Sequence, residues 1–404
     1  MKKKLIRPCV VGLGYVGLPL FLKLQNKINT TGYDIDNLRV KQLKSRLDLN
    51  NEFDKKDLVL KKKSLITSNK NFLKFCNFFI VTVPTPISKK NIPDLSYLKK
   101  SCEIIGRVLT KNSIVFFEST VYPGVTENFC GRILEKKSGL KLDIDFFVGY
   151  SPERINPGDK KHSIGKVVKI VSANNNYSLK IAKKIYKKVA YKIVTNKNIK
   201  EAESAKVIEN IQRDLNIGLM NEIYKVCTNS EIDFHNVMKL SSTKWNFLKF
   251  NPGLVGGHCL PVDPYYYSYF AKSYGISTKI LLAGRNVNNS MFKFIFKKIN
   301  HKIKKMNLKF KKAKILILGL SYKKNVSDLR NSYVINLAKL IKQNALKLDI
   351  YDPWIYKKKV DNLRMIKNVK PHNYDLIINA VNHDVFKEKI LKIKKMKLNY
   401  IELF

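Results

Sequence analysis

Apolar and polar positions along the chain fall into three regimes. From Lys4 to about Asn196, short β-rich runs at Cys9 to Gly12, Thr31 to Tyr33, Phe78 to Val83, Ser113 to Glu118 and Phe146 to Gly149 are separated by segments whose apolar residues recur at helical spacing. Such a βαβ series predicts a doubly wound parallel sheet. From about Ile199 to Phe296 no strand pattern appears, and Glu201 to Cys227 predicts one helix of some 27 residues. Beyond Lys311 the strand pattern returns at Ala313 to Gly319, Lys347 to Tyr351 and Asp375 to Ala380. The fold class expected is therefore α/β, with two Rossmann-like doubly wound domains joined by a helical domain carrying a long helix. The boundaries fall at 1–196, 197–296 and 297–404.

Composition changes this picture little. The 404 residues are 45% hydrophobic, enough for a core in each domain. The net charge of +46 is extreme, but lysine is spread through nearly every segment. An even spread reads as compositional bias, because a nucleic-acid footprint concentrates charge on one face. Neither a specific nucleic-acid partner nor a membrane is expected. The early apolar run from Leu5 to Leu24 is broken by Arg7, Pro8, Gly12, Gly14, Gly17 and Pro19, so it resembles neither a signal peptide nor an anchor. The six cysteines, at 9, 76, 102, 130, 227 and 259, show no Cys-x-x-Cys and no zinc spacing. A reduced, cytoplasmic protein without a metal is expected.

Gly12-Leu13-Gly14-Tyr15-Val16-Gly17 follows an apolar run and opens an amphipathic helix. In that context the first glycine permits a tight turn, the second lets the backbone approach a pyrophosphate, and the third allows close helix–strand packing. Asp34 ends the next strand-like run, 20 residues after Gly14, where a carboxylate accepts from ribose hydroxyls. An acid there repels a 2′-phosphate, which favours NAD over NADP; Arg39, a turn into the next helix, is either a cofactor contact or a solvated residue. Thr82, Thr85, Ser119 and Thr120 lie at the C-terminal ends of expected strands. Their hydroxyls suit either the nicotinamide half of the cofactor or ordinary turn chemistry.

The segment from Asn251 to Pro264 places Gly256 and Gly257 before His258 and Cys259, with Asp263 four residues on. Five cysteines sit on apolar faces and read as structural. Cys259 has polar, glycine-rich surroundings, as an accessible thiol that can be activated does. On the long helix, Lys206 and Asn210 are spaced i, i+4 and share a face with Glu203 and Arg213. Spacing alone favours a solvated charged stripe for these four.

Gly-Leu-Gly-Tyr-Val-Gly-Leu-Pro at 12–19, Tyr-Ser-Pro-Glu-Arg-Ile-Asn-Pro-Gly at 150–158, Ala-Lys-Val-Ile-Glu-Asn-Ile-Gln-Arg-Asp-Leu-Asn-Ile at 205–217 and the Cys259 loop resemble the UDP-glucose/GDP-mannose dehydrogenases. Lys-Trp-Asn-Phe at 244–247 and the run from Leu318 to Ser332 extend the resemblance from residue 4 to about 386. It implies an NAD-binding domain, a helical dimerisation domain and a UDP-binding domain, and hence a homodimer. It also implies four-electron oxidation of the C6 alcohol of a UDP-sugar through a covalent Cys259 adduct. Lys206 and Asn210 then stabilise oxyanions, Asp263 is an acid/base group, and Glu153 and Thr120 position water.

On the same grounds Gly12 to Gly17, Asp34, Arg39, Thr85, Ser119, Thr120 and Arg330 are cofactor contacts. Glu153, Arg154, Asn156, Lys206, Asn210, Phe250, Gly256, Gly257 and Lys323 are substrate contacts. Arg154-Ile155, in place of the Phe-Leu of glucose-specific members, makes the chain similar to the branch acting on UDP-N-acetylglucosamine or UDP-N-acetylgalactosamine, with the C4 epimer left open. The chain departs from the family pattern at Ala173, at Asn289 and in its closing residues, which suggest a shortened last strand.

Overall fold

A computed structural model describes residues 5–50, 52–154 and 165–404. Two compact units emerge, Met1–Glu209 with Tyr265–Ser277, and Asn210–Pro264 with Thr278–Phe404.

The first unit holds β1 (Pro8–Val11), α1 (Gly17–Gln25), β2 (Thr31–Tyr33), α2 (Asn37–Lys44), β3 (Leu65–Thr67), β4 (Phe78–Val81), α3 (Ser96–Gly106), β5 (Ser113–Phe117), α4 (Arg132–Ser138), β6 (Phe146–Tyr150), β7 (Val168–Ser172), α5 (Asn176–Tyr186) and β8 (Lys192–Asn196). The sheet runs β3-β2-β1-β4-β5-β6-β7-β8. Its central strands β1, β4, β5 and β6 are buried at every position because both faces are covered. Val10, Phe78, Ile80, Ile114 and Phe116 turn to the face packed by Leu18 and Phe21 of α1 and Ile185 of α5. Cys9, Val11, Phe79, Val81, Val115 and Phe117 turn to the face packed by Leu98 and Ile105 of α3 and Leu134 of α4. Full burial of each such side chain is worth roughly 1.5–3 kcal/mol.

One expectation is corrected here. The first six strands are parallel, but β7 runs against β6, meeting it at Tyr150 and Ser172, and β8 lies parallel to β7. Parallel neighbours need a crossover of a dozen or more residues, usually helical. The sequence between β6 and β7 carries Pro152, Pro157 and Gly158 and no helical period, whereas α5 supplies the crossover from β7 to β8.

The chain continues through α6 (Ile199–Asn229), 31 residues long. α7 (Phe234–Ser241), α8 (Asp263–Lys272) and α9 (Lys279–Lys305) follow, and no strand intervenes among the described residues from 199 to 296. In the second unit β9 (Lys314–Leu318), α10 (Tyr333–Asn344), β10 (Lys347–Tyr351), the short pair β11 (Lys359–Val360) and β12 (Leu363–Arg364), β13 (Leu376–Asn379), α11 (Lys387–Lys395) and β14 (Tyr400–Glu402) complete the chain. The sheet β10-β9-β13-β14 is parallel throughout. Ile315 and Ile317 pack with Met291, Ile295 and Ile299 of α9 and Leu337 of α10, while Leu316, Leu318 and Ile377 pack with Ile390 and Ile393 of α11. The closing strand is short, at three residues, and is paired along its length with β13. Among the described residues no helix is long and apolar enough to cross a membrane.

Candidate functional site

The glycine turn of the first unit has the geometry its sequence demands. Gly12 has φ +94° and donates its N–H to the Tyr33 carbonyl at 2.8 Å, tying β1 to β2. A Cβ on Gly17 would collide with the Gly12 carbonyl oxygen and with Thr82 Oγ1, so α1 starts tight against the turn. A Cβ on Gly14 would meet nothing within 4 Å. Gly12 is thus required by its backbone conformation and Gly17 by packing, and the middle glycine faces open space, the cradle a pyrophosphate needs.

Asp34 serves the same turn. Its Oδ2 accepts from the Leu13 N–H at 2.7 Å and its Oδ1 from the Asp36 N–H at 3.0 Å. The carboxylate is therefore already aimed at the rim of the cradle. Arg39 lies on the inner side, donating from Nε to the Leu13 carbonyl at 3.0 Å and from Nη1 to buried Asp48 at 2.8 Å. It braces the turn from behind. Leu13 is fully buried, while Tyr15 and Val16 are half-buried.

The hydroxyls after β4 and β5 are engaged with backbone. Thr82 Oγ1 donates to the carbonyls of Val11 and Gly12, at 3.1 and 2.7 Å, Thr85 Oγ1 to the Thr120 carbonyl at 2.7 Å, and Ser119 Oγ to the Val83 carbonyl at 2.6 Å. Tyr266 donates to the Thr85 carbonyl at 3.1 Å. These bonds staple the two loops together at the carboxyl edge of the sheet, where doubly wound sheets bind ligands.

Glu153, just beyond β6, is 6% exposed. Its Oε1 accepts from the Arg154 N–H at 2.7 Å, and its Oε2 from Lys169 Nζ at 2.7 Å. Lys169 also donates to Glu118 Oε2 at 3.0 Å, and both side chains are buried. Burial pushes the Glu118 carboxyl up to about 7 although the Lys169 ammonium opposes it, with Glu153 adding to the rise. For Lys169, burial works against the charge, but Glu118 and Glu153 outweigh it and raise the ammonium. The Arg154 guanidinium pairs with Glu209 of α6. Asn156 lies outside the described residues.

On α6 the stripe that spacing alone favours as solvated is mostly buried. Glu203 is fully buried, accepting from the N–H groups of Gly124 at 2.5 Å and Thr126 at 2.9 Å; burial lifts its carboxyl to about 7. Lys206 and Asn210 are 9% and 5% exposed, and only Arg213 faces solvent. Asn210 Nδ2 donates to Asp263 Oδ2 at 2.5 Å. Asp263, 1% exposed, opens α8, and its N–H donates to the Cys259 carbonyl at 2.9 Å. The thiol-bearing residue, the carboxylate and the amide are therefore held within one short turn and one hydrogen bond of each other.

All six cysteines are among the described residues, and only Cys259 is not buried. Its loop is fixed at both ends by a buried polar network absent from the sequence reading. Asn221 of α6 donates to the Gly253 carbonyl at 3.0 Å and accepts from the Gly253 N–H at 2.8 Å. It also donates to Asn288 Oδ1 at 2.8 Å, and Asn288 donates to Asp214 Oδ1 at 2.9 Å. Arg285 of α9, fully buried, reaches Asp214 at 2.5 Å and the Leu260 carbonyl at 3.4 Å. Burial raises the Asp214 carboxyl to about 6, with Arg285 opposing. Asn289, one of the departures from the family pattern, accepts from Arg285 Nε at 3.0 Å and from Tyr333 at 2.5 Å.

Gly256 and Gly257 are buried because the loop after β9 covers them. A Cβ on Gly257, whose φ is +93°, would stand 2.8 Å from the Tyr322 ring, and one on Gly256 would meet the Asn331 carbonyl. Asn331 Nδ2 donates to the Gly257 carbonyl at 2.9 Å, and the Gly257 N–H to the Arg330 carbonyl at 3.1 Å. His258 and Lys323 are half-buried; Arg330 is exposed, its guanidinium forked onto Asp328 at 2.6–3.0 Å. Phe250 lines an open depression of about 440 Å³ with His235, Lys239, Phe247 and Lys249. Among the described residues no cluster of side chains is suited to a metal ion.

Comparison with known proteins covers most of the chain. Residues 6–190 match the NAD binding domain of the UDP-glucose/GDP-mannose dehydrogenase family, 200–290 its central domain and 316–401 its UDP binding domain. UDP-N-acetyl-D-glucosamine 6-dehydrogenase of Pseudomonas aeruginosa is 42% identical, over 96% of this chain and 94% of its own. The enzyme of that name from Salmonella typhi is 40% identical over 95% and 91%. The solved UDP-D-ManNAc dehydrogenase of Pyrococcus horikoshii superposes with a TM-score of 0.87 at 29% identity, covering 98% of this chain and 95% of that one.

Proposed function

Since the chain belongs to the UDP-glucose/GDP-mannose dehydrogenase family, an NAD-dependent family, we propose that its substrate is UDP-N-acetylglucosamine, with UDP-N-acetylgalactosamine as the epimeric alternative, and that its product is the corresponding uronate. The observation that carries this is the Cys259 loop: one partly exposed thiol among six, anchored beside Asp263 and Asn210 in a chain matched over 95–96% of its length by relatives named for that reaction.

Bound NAD supplies the acceptor for the hydride removed from carbon 6 at each of two oxidation stages. The chain's own residues handle the protons, the aldehyde and the water. Asp263 takes the proton lost by the C6 hydroxyl. Cys259 Sγ then adds to the aldehyde carbon, forming a C–S bond that holds the aldehyde until the second oxidation leaves a thioester. Water ordered by Glu153 and Thr120 attacks the acyl carbon, the C–S bond breaks, and the thiol is restored. Each addition places negative charge on oxygen, which the Lys206 ammonium and the Asn210 amide meet. Loss of one such donor typically costs about 10²- to 10³-fold in turnover.

Gly14 and Asp34 hold the dinucleotide, with Gly12, Leu13, Tyr15, Val16 and Gly17 forming its cradle and Arg39 bracing it. Thr85, Ser119, Thr120 and Arg330 complete the cofactor contacts. Arg154, Asn156, Phe250, Gly256, Gly257 and Lys323 serve the UDP-sugar. Cofactor, catalytic and UDP functions are assigned to 1–196, 197–296 and 297–404, with a homodimer formed through the helical part and a cytoplasmic location where NAD and UDP-sugars are supplied. Exposed Leu240, Trp245 and Leu248 are the apolar surface supporting that association.

Stoichiometry tests the reading. Pure protein given UDP-N-acetylglucosamine and excess NAD should form two NADH per uronate. One NADH per sugar, with an aldehyde as product, would overturn the covalent route.

A further inference from the structure

We propose that Glu118, Lys169 and Glu153 act as one buried unit in which Lys169 is the positioning residue that keeps Glu153 ionised and aimed, while Glu118 competes for the same ammonium and so sets the pH range over which Glu153 works. The inference rests on the reading of Glu153 as the residue that orders the hydrolytic water.

The reversed strand makes this unit possible. In an antiparallel pair, facing residues have numbers of constant sum, and Tyr150 faces Ser172, so 150 + 172 = 322. Extending that register past the end of β6 puts residue 153 opposite residue 169, because 153 + 169 is also 322. Ser151 Oγ donates to the Ile170 carbonyl at 2.6 Å, which holds the two segments together at that level. A parallel β7 would run away from Glu153. Glu118, at the end of the adjacent β5, approaches Lys169 from the other side.

Two carboxylates and one ammonium share this enclosure, each less than about a tenth exposed. Tyr186 of α5 also faces them, its ring 5.3 Å from Lys169 Nζ. With both carboxylates ionised, one ammonium is shared between two anions in a low-dielectric site. A proton on Glu118, the group that burial lifts to about 7, leaves that ammonium to Glu153. With Glu118 protonated, Lys169 and Glu153 form a neutral pair, and Glu153 is held from both sides by Lys169 and the Arg154 N–H.

Shifts of different limbs of the pH profile distinguish this arrangement from simple structural support. Uronate formation is measured by single-turnover quench from pH 5 to 9 with the full-length protein, NAD and UDP-N-acetylglucosamine. Glu118→Gln fixes the neutral form that Glu118 already holds below about pH 7, so it should leave the acid limb in place and move the alkaline limb up by about one pH unit, whereas Lys169→Met removes the cation and should move the acid limb up by about one unit or more. Lys169→Arg should restore the wild-type limb, and NAD affinity should change less than about twofold in all three. If Lys169→Met fails to fold, the Glu118→Gln and Lys169→Arg profiles decide. A shift of the acid limb by Glu118→Gln, or no shift from either variant, in an active protein overturns the triad alone. A wild type that forms no NADH overturns the functional reading and the proposal with it.

Discussion

At the scale of residues, the site separates groups that burial constrains from groups that chemistry needs. Cys259→Ala should abolish uronate formation while leaving NAD affinity within about twofold, measured by product analysis and by fluorescence titration with NADH. Normal uronate yield from that variant would remove the nucleophile from the scheme. Gly257→Ala tests a conformational requirement in the same loop. The residue combines φ +93° with a Cβ that would stand 2.8 Å from the Tyr322 ring, so a loss of roughly 1–3 kcal/mol is expected from backbone strain, with the overlap added to it. Thermal melting checks this; an unchanged Tm would mean that the loop after β9 gives way freely.

Among elements, α6 and α9 carry the network that fixes the Cys259 loop. Arg285→Met would leave Asp214 without its cation, and breaking a buried pair from one side costs about 3–5 kcal/mol. Asn221→Leu is milder, removing both bonds to Gly253. Its expected signature is a fall in turnover with NAD affinity preserved; equal loss of both would show that the network supports the fold and does not specifically place the loop.

These elements also show where sequence is informative. The glycine turn and Asp34 were legible because the spacing of three glycines and one acid has a single strand–turn–helix solution. The Cys259 loop was legible because paired glycines beside a thiol are unusual chemistry. Arg285, Asp214 and Lys169 were not, because a charged residue in a helix or strand reads as a surface residue until tertiary packing encloses it. For Glu203, Lys206 and Asn210 spacing alone pointed to solvent for the same reason, since helical spacing places residues on a common face without saying what covers that face. The direction of β7 was equally hidden, for strand propensity has no polarity and only the missing helical period before it offered a hint.

For the whole molecule, charge governs the response to conditions. With 77 basic and 31 acidic side chains spread along the chain, self-repulsion opposes compaction at neutral pH. Raising NaCl from about 20 to 200 mM shortens the screening length to below about 10 Å and should raise the Tm by several degrees. A constant Tm would show that the lysines are far enough apart to be individually solvated.

The pH dependence follows from three buried carboxyls. Asp214 is lifted to about 6 and Glu118 and Glu203 to about 7. A carboxyl whose folded value lies above its unfolded one keeps its proton longer in the folded state, so its contribution is full below the unfolded value and is lost as pH rises through the folded one. Stability should therefore fall between about pH 4 and pH 7. Below about pH 4, protonation of the remaining acids increases the positive excess and destabilises from the other side. Melting curves should peak near pH 4, and a maximum at pH 8 would contradict the burial assigned to these groups.

The uneven exposure of the sulfur atoms has a practical corollary. A mild alkylating reagent or an aromatic disulfide should consume a single equivalent in the native protein and six after denaturation. The same reactivity leaves the resting enzyme open to peroxide, which would convert that one sulfur to a sulfenic acid and halt turnover reversibly, while the five enclosed thiols stay reduced.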